Sequence, residues 1–216
     1  MKPYRTLAAL GLAAGLFGTA HAGEVYGQLG FPGAGLGFAQ PLNSHFTVRA
    51  DYLTLGTHDD QYDEEGIRYE GTLKFARGGV FADWFPMAGS FRVTAGITAN
   101  NMKLALTARG TNQPVEIGDT TYVLTPQDRI DAEVKFPSTT PYLGIGWGHH
   151  DAGTGLRFSF DLGAIIGKAK VRTSVSGPNA NLVSQQDLDK ETAELRDGVG
   201  KVKAIPQISF AIGYSF

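Results

Sequence analysis

Nine charged residues sit at alternating positions between apolar ones: Arg49, Asp51, Arg68, Glu70, Lys74, Asp83, Arg92, Arg157 and Asp161. Arginine makes planar, two-pronged pairs with carboxylates. If these side chains share an enclosed face, each must find a partner, because unpaired burial costs several kcal/mol per ion. The chemistry they suggest is ion pairing, with two readings open. A packed plug of pairs would brace the walls around it, whereas a rearranging set would gate a narrow path for small polar solutes.

The remaining candidates are weaker. His45, His58, His149 and His150 could act as bases toward a nucleophile. His58 stands beside Asp59 and Asp60, yet no serine accompanies it in a recognisable pattern, so no catalytic residue is assigned. Asp59, Asp60, Asp63, Glu64 and Glu65 gather five carboxylates within seven residues. Such oxygen-rich runs can hold Ca²⁺ or Mg²⁺, but the Gly/Asp turn pattern of a calcium loop is missing. No metal and no cofactor is expected, and the run is read as a hydrated loop.

The elements that must position the charges are strands. From 208 to 216 apolar residues take every second place, with Ile208, Phe210, Ile212, Tyr214 and Phe216 separated by Ser209, Ala211, Gly213 and Ser215. That period of two marks a strand with one apolar face. The same alternation predicts eight strands, at 24–30, 34–40, 45–55, 67–85, 91–99, 139–148, 155–171 and 206–216. Residues 24–40 could instead form one kinked strand, which would break the even count. In the fourth strand Ile67, Tyr69, Leu73 and Phe75 are placed outward, with Arg68, Glu70 and Lys74 inward. A bulge at Gly78-Gly79 then reverses the parity, so that Val80, Ala82 and Trp84 face out. Trp84, Phe85, Trp147 and Phe216 fall beside predicted short turns as an aromatic girdle.

Connections alternate between turns of four to six residues and the long segments 56–66, 100–138 and 172–205. Within 100–138, residues 103–107 and 121–124 have strand-like composition and predict a hairpin that extends the sheet. Within 172–205, residues 184–197 read as a short helix with a weak apolar stripe of Leu188, Ala193, Leu195 and Val199. The fold class expected is all-β: an eight-stranded antiparallel up-and-down transmembrane β-barrel with a short helix in the last long external loop.

The N-terminus indicates export. Lys2 and Arg5 precede an apolar run at 7–17, and Ala20-His21-Ala22 is a small-x-small cleavage site. The run of 11 residues is too short for a spanning helix, which needs roughly 20. Residues 1–22 are therefore expected as a signal peptide and 23–216 as one barrel domain. Cleavage removes Lys2 and Arg5 and leaves 17 basic against 21 acidic residues, net −4. No nucleic-acid partner is expected from that balance. The chain has no cysteine, so an exported domain must be held by something other than disulfides. Gly is abundant, at 29 of 216, and falls largely on the polar face, where a narrow interior needs small residues. A soluble β-sandwich would alternate too, but explains neither those glycines nor the terminal aromatic.

The segment Phe210-Ala211-Ile212-Gly213-Tyr214-Ser215-Phe216 resembles the closing strand of bacterial outer-membrane β-barrels, and Thr140-Pro141-Tyr142-Leu143-Gly144-Ile145-Gly146-Trp147-Gly148 is similar to a segment of that group. With the signal peptide and the alternation, nearly all of 23–216 resembles the small outer-membrane barrels, in the broad OmpA-like or OmpW-like group. The resemblance implies outer-membrane location in a Gram-negative envelope. It also implies a C-terminal assembly signal at Phe210, Ile212, Tyr214 and Phe216, read by the barrel-assembly machinery. Membrane lipid and lipopolysaccharide are the implied surroundings, with a divalent-bridged contact through the carboxylate run as a minority reading. A structural or surface-interaction role comes first, a porin-like narrow channel binding small polar or amphipathic solutes second. A lipid-modifying enzyme comes last, because only His58 lies near the predicted outer rim, where lipid A deacylases place their Ser–His pair.

Overall fold

The computed structural model describes residues 23–64, 67–150, 153–199 and 203–216; the expected signal peptide at 1–22 lies outside them. In chain order the elements are β1 (Glu24–Phe31), β2 (Gly33–Asn43), β3 (Phe46–Glu64), β4 (Ile67–Trp84), β5 (Phe91–Arg109), β6 (Pro114–Ile117), β7 (Thr120–Val123), β8 (Arg129–Lys135), β9 (Thr139–Trp147), β10 (Gly155–Ile166), β11 (Lys170–Ser176), α1 (Gln185–Val199) and β12 (Ala204–Ser215).

Eight of these strands pair antiparallel in a ring. β1 pairs with β2, β2 with β3, β3 with β4 and β4 with β5. The series continues from β5 to β9, β10 and β12, and β12 returns to β1. Residues 24–40 are thus two strands rather than one kinked strand. The turns after β2, β4 and β9 lie at the end of the ring where Phe216 N–H donates to the Gly23 carbonyl at 3.0 Å.

The walls differ in height. β1 has 8 residues, whereas β3, β4 and β5 have 19, 18 and 19. Of the residues expected as a long loop at 56–66, the described ones, 56–64, instead extend β3 against β4, with Asp59 opposite Thr72 and Asp60 opposite Gly71. The upper half of β5 pairs with β8, and β8 with β11, so the tall side carries a five-stranded extension. The strand expected over 155–171 therefore breaks after Ile166, and β11 leaves the ring to join the extension. The expected hairpin in 100–138 also forms differently. Residues 103–107 belong to β5 itself, while 121–124 pairs back on Pro114–Ile117 as the hairpin β6–β7.

Helix α1 forms where expected. Ser184 caps it, accepting from the Asp187 N–H at 3.1 Å while its hydroxyl donates to the Asp187 carboxylate at 2.6 Å. Together with β6–β7 it covers the inner face of the extension, where Ile117, Leu124 and Val183 are buried against Ile130 and Leu188. Gly118, at the β6–β7 turn, has φ +65°, and a Cβ there would lie 2.8 Å from the Asp187 Cα. Only glycine permits both that left-handed backbone and the close helix.

The parity of β4 is the main departure from the sequence reading. Phe75, Arg77, Phe81 and Asp83 are all buried on one face, and Ala82 and Trp84 are exposed on the other, with no reversal at Gly78-Gly79. The register shift lies opposite, in β3 between Thr54 and Gly56. What reverses is the hydropathy of the faces. Below Ala76 the outer face carries Val80 and Trp84 and the inner face Arg77 and Asp83. Above it Phe75, Leu73 and Tyr69 continue the inner face, and Lys74, Thr72 and Glu70 the outer. β5 changes in step: Val93 and Ile97 point out beside inward Arg92, Thr94 and Thr98, but higher up Met102 points in and Lys103 out. Strands keep one parity along their length, so it is the character of each face that changes and not its direction.

Candidate functional site

The lower interior holds a four-member ion-pair lattice contributed by four strands. Arg49 Nε lies 2.5 Å from Asp83 Oδ2, and Arg49 Nη2 lies 3.2 Å from Asp161 Oδ1. Arg92 Nη2 reaches the same Asp161 oxygen at 2.6 Å, and Arg92 Nε lies 3.4 Å from Asp83. Thr94 donates to Asp83 at 2.6 Å. No side chain of the four pairs is more than 4% exposed. Two cations and two anions in alternation satisfy the pairing requirement that enclosure imposes.

A second group lies above. Arg77 pairs with Asp51 and donates to Gln207 Oε1 at 2.7 Å, while Gln28 donates to Asp51 at 2.9 Å. Phe81 separates the two groups: the Arg49 and Arg77 guanidinium carbons each lie 5.2 Å from its ring centroid. Both geometries are within cation–π range. Above Arg77 the interior turns apolar, with Phe75, Met102, Phe136 and Ile165 in one buried cluster with Phe81 and Tyr142. Fully burying a side chain of that kind stabilises by roughly 1.5–3 kcal/mol, so ion pairs and apolar packing fill the interior in layers.

Of the nine charges expected in this network, Arg49, Asp51, Asp83, Arg92 and Asp161 are in it. Lys74 and Glu70 are not. Lys74 is exposed on the outer face, and Glu70 lies 3.6 Å from Arg109 in the extension. They follow the β4 parity, which places both outward. Arg68 pairs with Asp63 in the β3–β4 register, and its side chain lies outside the described residues. Arg157 is half-buried near the turn end of β10 and donates to the Gly153 carbonyl at 2.5 Å. Arg77 was missed because the expected bulge made its direction ambiguous. The girdle needs one correction as well: Trp84, Trp147 and Phe216 are exposed, but Phe85 is 1% exposed and points inward. Phe210, Ile212, Tyr214 and Phe216 all face out, between 54% and 66% exposed.

One further constellation joins β10, the turn after β9 and the start of β1. Ser159 Oγ is 2.9 Å from His149 Nε2, and His149 Nδ1 is 3.0 Å from Glu24 Oε2. Such a line of hydroxyl, imidazole and carboxylate can activate a nucleophile. Here all three are buried, at 7%, 1% and 3% exposure, and the His149 Nδ1–Glu24 contact lacks hydrogen-bond alignment. The Tyr26 ring packs on the imidazole, 4.3 Å between centroids. His149 holds a left-handed φ of +58°, and Thr47 donates to its carbonyl at 2.9 Å. Among the described residues no group of three or more metal-ligating side chains gathers.

No protein-family model and no curated protein sequence matches the chain. Solved structures share its fold. The crystal structure of Acinetobacter baumannii CarO superposes with a TM-score of 0.55 at 15% identity, covering 89% of this chain and 97% of that one. The crystal structure of Acinetobacter baumannii CarO2 does so with 0.54 at 17% identity, covering 91% and 99%. At that identity the likeness concerns the fold.

Proposed function

We propose that this chain is an integral outer-membrane β-barrel protein, exported by a signal peptide at 1–22. Its role in this reading is to stabilise the envelope or to present its external cap to partners. The observation that carries the proposal is the exchange of hydropathy along β4 and β5. On the lower ring the large apolar side chains are the exposed ones, with Leu36 at 70%, Phe158 at 68% and Phe210 at 66%, while Arg92 and Asp83 are at 0%. Water does not favour that arrangement and hydrocarbon does. From Trp84 to Lys74, ten residues at about 3.3 Å each with the usual tilt of ~40° span about 25 Å, the height of the apolar band of such barrels. The fold shared with CarO supports the same reading.

Membrane lipid and lipopolysaccharide are the surroundings proposed, and the outward C-terminal aromatics are the surface offered to the assembly machinery. Membership of the broad OmpA-like or OmpW-like group belongs to the same proposal. We assign no enzymatic activity, since the Ser159–His149–Glu24 line is sealed within the wall. A plug is favoured over a channel because ion pairs and the Phe75–Ile165 cluster occupy successive levels of the interior. The test is to refold residues 23–216, float them with neutral phosphatidylcholine vesicles, and record currents in a planar bilayer. Insertion without conductance steps is expected. Discrete steps would install the narrow channel for small polar solutes in its place, and failure to float would remove the membrane reading.

A further inference from the structure

Four lysines stand on one rung of the sheet. Lys74 is paired with Lys103, Lys103 with Lys135, and Lys135 with Lys170, across β4, β5, β8 and β11. Residues directly opposite in antiparallel strands project to the same face. That face is the outer one, since Phe75, Met102 and Val171 on the alternate positions are buried inward. Neighbouring strands are about 4.8 Å apart, so the row spans roughly 14 Å. Like charges directly opposite destabilise a sheet, and here that juxtaposition occurs three times in succession.

The local counter-charge is insufficient. On the next rung Glu133 stands opposite Arg172 and takes a 2.6 Å contact from Lys103 Nζ. At the other end of that rung Asp59 stands opposite Thr72, diagonal to Lys74, and accepts from the Thr72 hydroxyl at 2.7 Å. Five cations against these two carboxylates leave a net of +3. Beside the row lies a depression of about 320 Å³ lined by Lys135, Lys170, Arg172, Glu133 and Ser138. The row stands above the outward apolar surface, six residues along β4 and β5 from Val80, 59% exposed, and Ile97, 64% exposed.

We infer that Lys74, Lys103, Lys135, Lys170 and Arg172 form a binding site for the phosphate groups of an anionic lipid headgroup. The inference rests on the membrane reading above. Acyl chains lying against Val80 and Ile97 bring a headgroup to the height of the lysines. A linear row suits a headgroup bearing two phosphates better than a single small anion. Each phosphate relieves the repulsion between adjacent ammonium groups, so occupation stabilises the extension as well as holding the lipid.

The experiment compares the protein in phosphatidylcholine vesicles with the protein in the same vesicles containing bisphosphorylated lipid A. The reading is the thermal unfolding midpoint together with the amount of lipid A retained on repurification in detergent. For the wild type, lipid A raises the midpoint by several degrees and co-purifies. The triple variant Lys135→Gln/Lys170→Gln/Arg172→Gln loses the shift and retains at least tenfold less lipid. The variant Lys135→Arg/Lys170→Arg keeps both, which separates loss of charge from misfolding. Inorganic phosphate at matched concentration produces no shift; an equal shift would overturn the headgroup assignment in favour of a soluble anion. Equal midpoints with and without lipid A, in protein that floats with phosphatidylcholine, would overturn the site while leaving the barrel reading intact. Protein that does not float at all would overturn both.

Discussion

Arg92 and Asp161 meet at 2.6 Å inside the ring, from strands β5 and β10 that have β9 between them. Neither side chain is more than 4% exposed. The pair therefore braces the interior across a strand rather than along a ladder. Removing one partner leaves a buried charge, which typically costs about 3–5 kcal/mol. Arg92→Ala should lower stability by that order in urea titrations of tryptophan fluorescence in micelles. Arg92→Met with Asp161→Leu should recover most of the loss, because Arg49 and Asp83 still balance one another. A double variant as unstable as the single one would show that the lattice acts as a unit.

Ser159 should be inert. An alkyl fluorophosphonate incubated with the refolded protein is expected to label no residue, and Ser159→Ala should change stability by about 1 kcal/mol, the worth of one hydrogen bond. Stoichiometric labelling at Ser159, read by mass spectrometry, would bring the line to Glu24 back as an active site.

The external cap should loosen only in acid. Hydrogen bonds from the Ser184 and Tyr122 hydroxyls hold the Asp187 carboxyl down at about 2. The backbone N–H of Asn179, followed by the Thr125 hydroxyl, holds Asp128 at about 2. An unfolded aspartate titrates near 3.9. A depressed folded value gives stability that is complete above about pH 4 and is lost as pH falls through 2. Amide exchange over 118–128 and 184–199, corrected for intrinsic rates, should be flat from pH 7 to 4.5 and accelerate below pH 3. Acceleration near pH 6 would mean that other groups hold the cap.

Gly118→Ala should undock α1 without disturbing the ring. The left-handed φ alone costs roughly 1–2 kcal/mol for an alanine, and its Cβ would meet helix backbone at 2.8 Å. Faster exchange confined to 185–199, with β1–β5 amides unchanged, is the expected result.

β5 and β10 were readable from sequence because their apolar and polar residues alternate against one solvent over the ring. Arg92, Thr94, Val93 and Ile97 fall where that rule puts them. β4 misled because the hydropathy of its two faces exchanges along its length. Phe75 and Lys74 obey a water-outside rule, while Trp84 and Asp83 obey the opposite one. A reading that assumes one rule must insert a parity break, and Gly78-Gly79 offered the least resistance. The cost was Arg77, half of the upper ion pair. The Ser159–His149–Glu24 line was illegible for another reason: His149 lies in the turn after β9 and Ser159 in β10, but Glu24 comes from β1, which only the ring brings beside them. The helix at 184–197 was legible because its composition and apolar stripe are local.

β1 joins β12 along eight consecutive pairings, from Glu24 with Ser215 to Phe31 with Ile208. This seam brings together the two strands most distant in sequence, and every other strand of the ring lies between them. Contacts of such separation form slowly, and until they form both seam strands present unpaired edges. Completion of the ring is therefore a single late event that no early portion of the chain can begin. Up to the moment its first strand meets its last, the chain is an open sheet with β1 and β12 as its two unpaired edges.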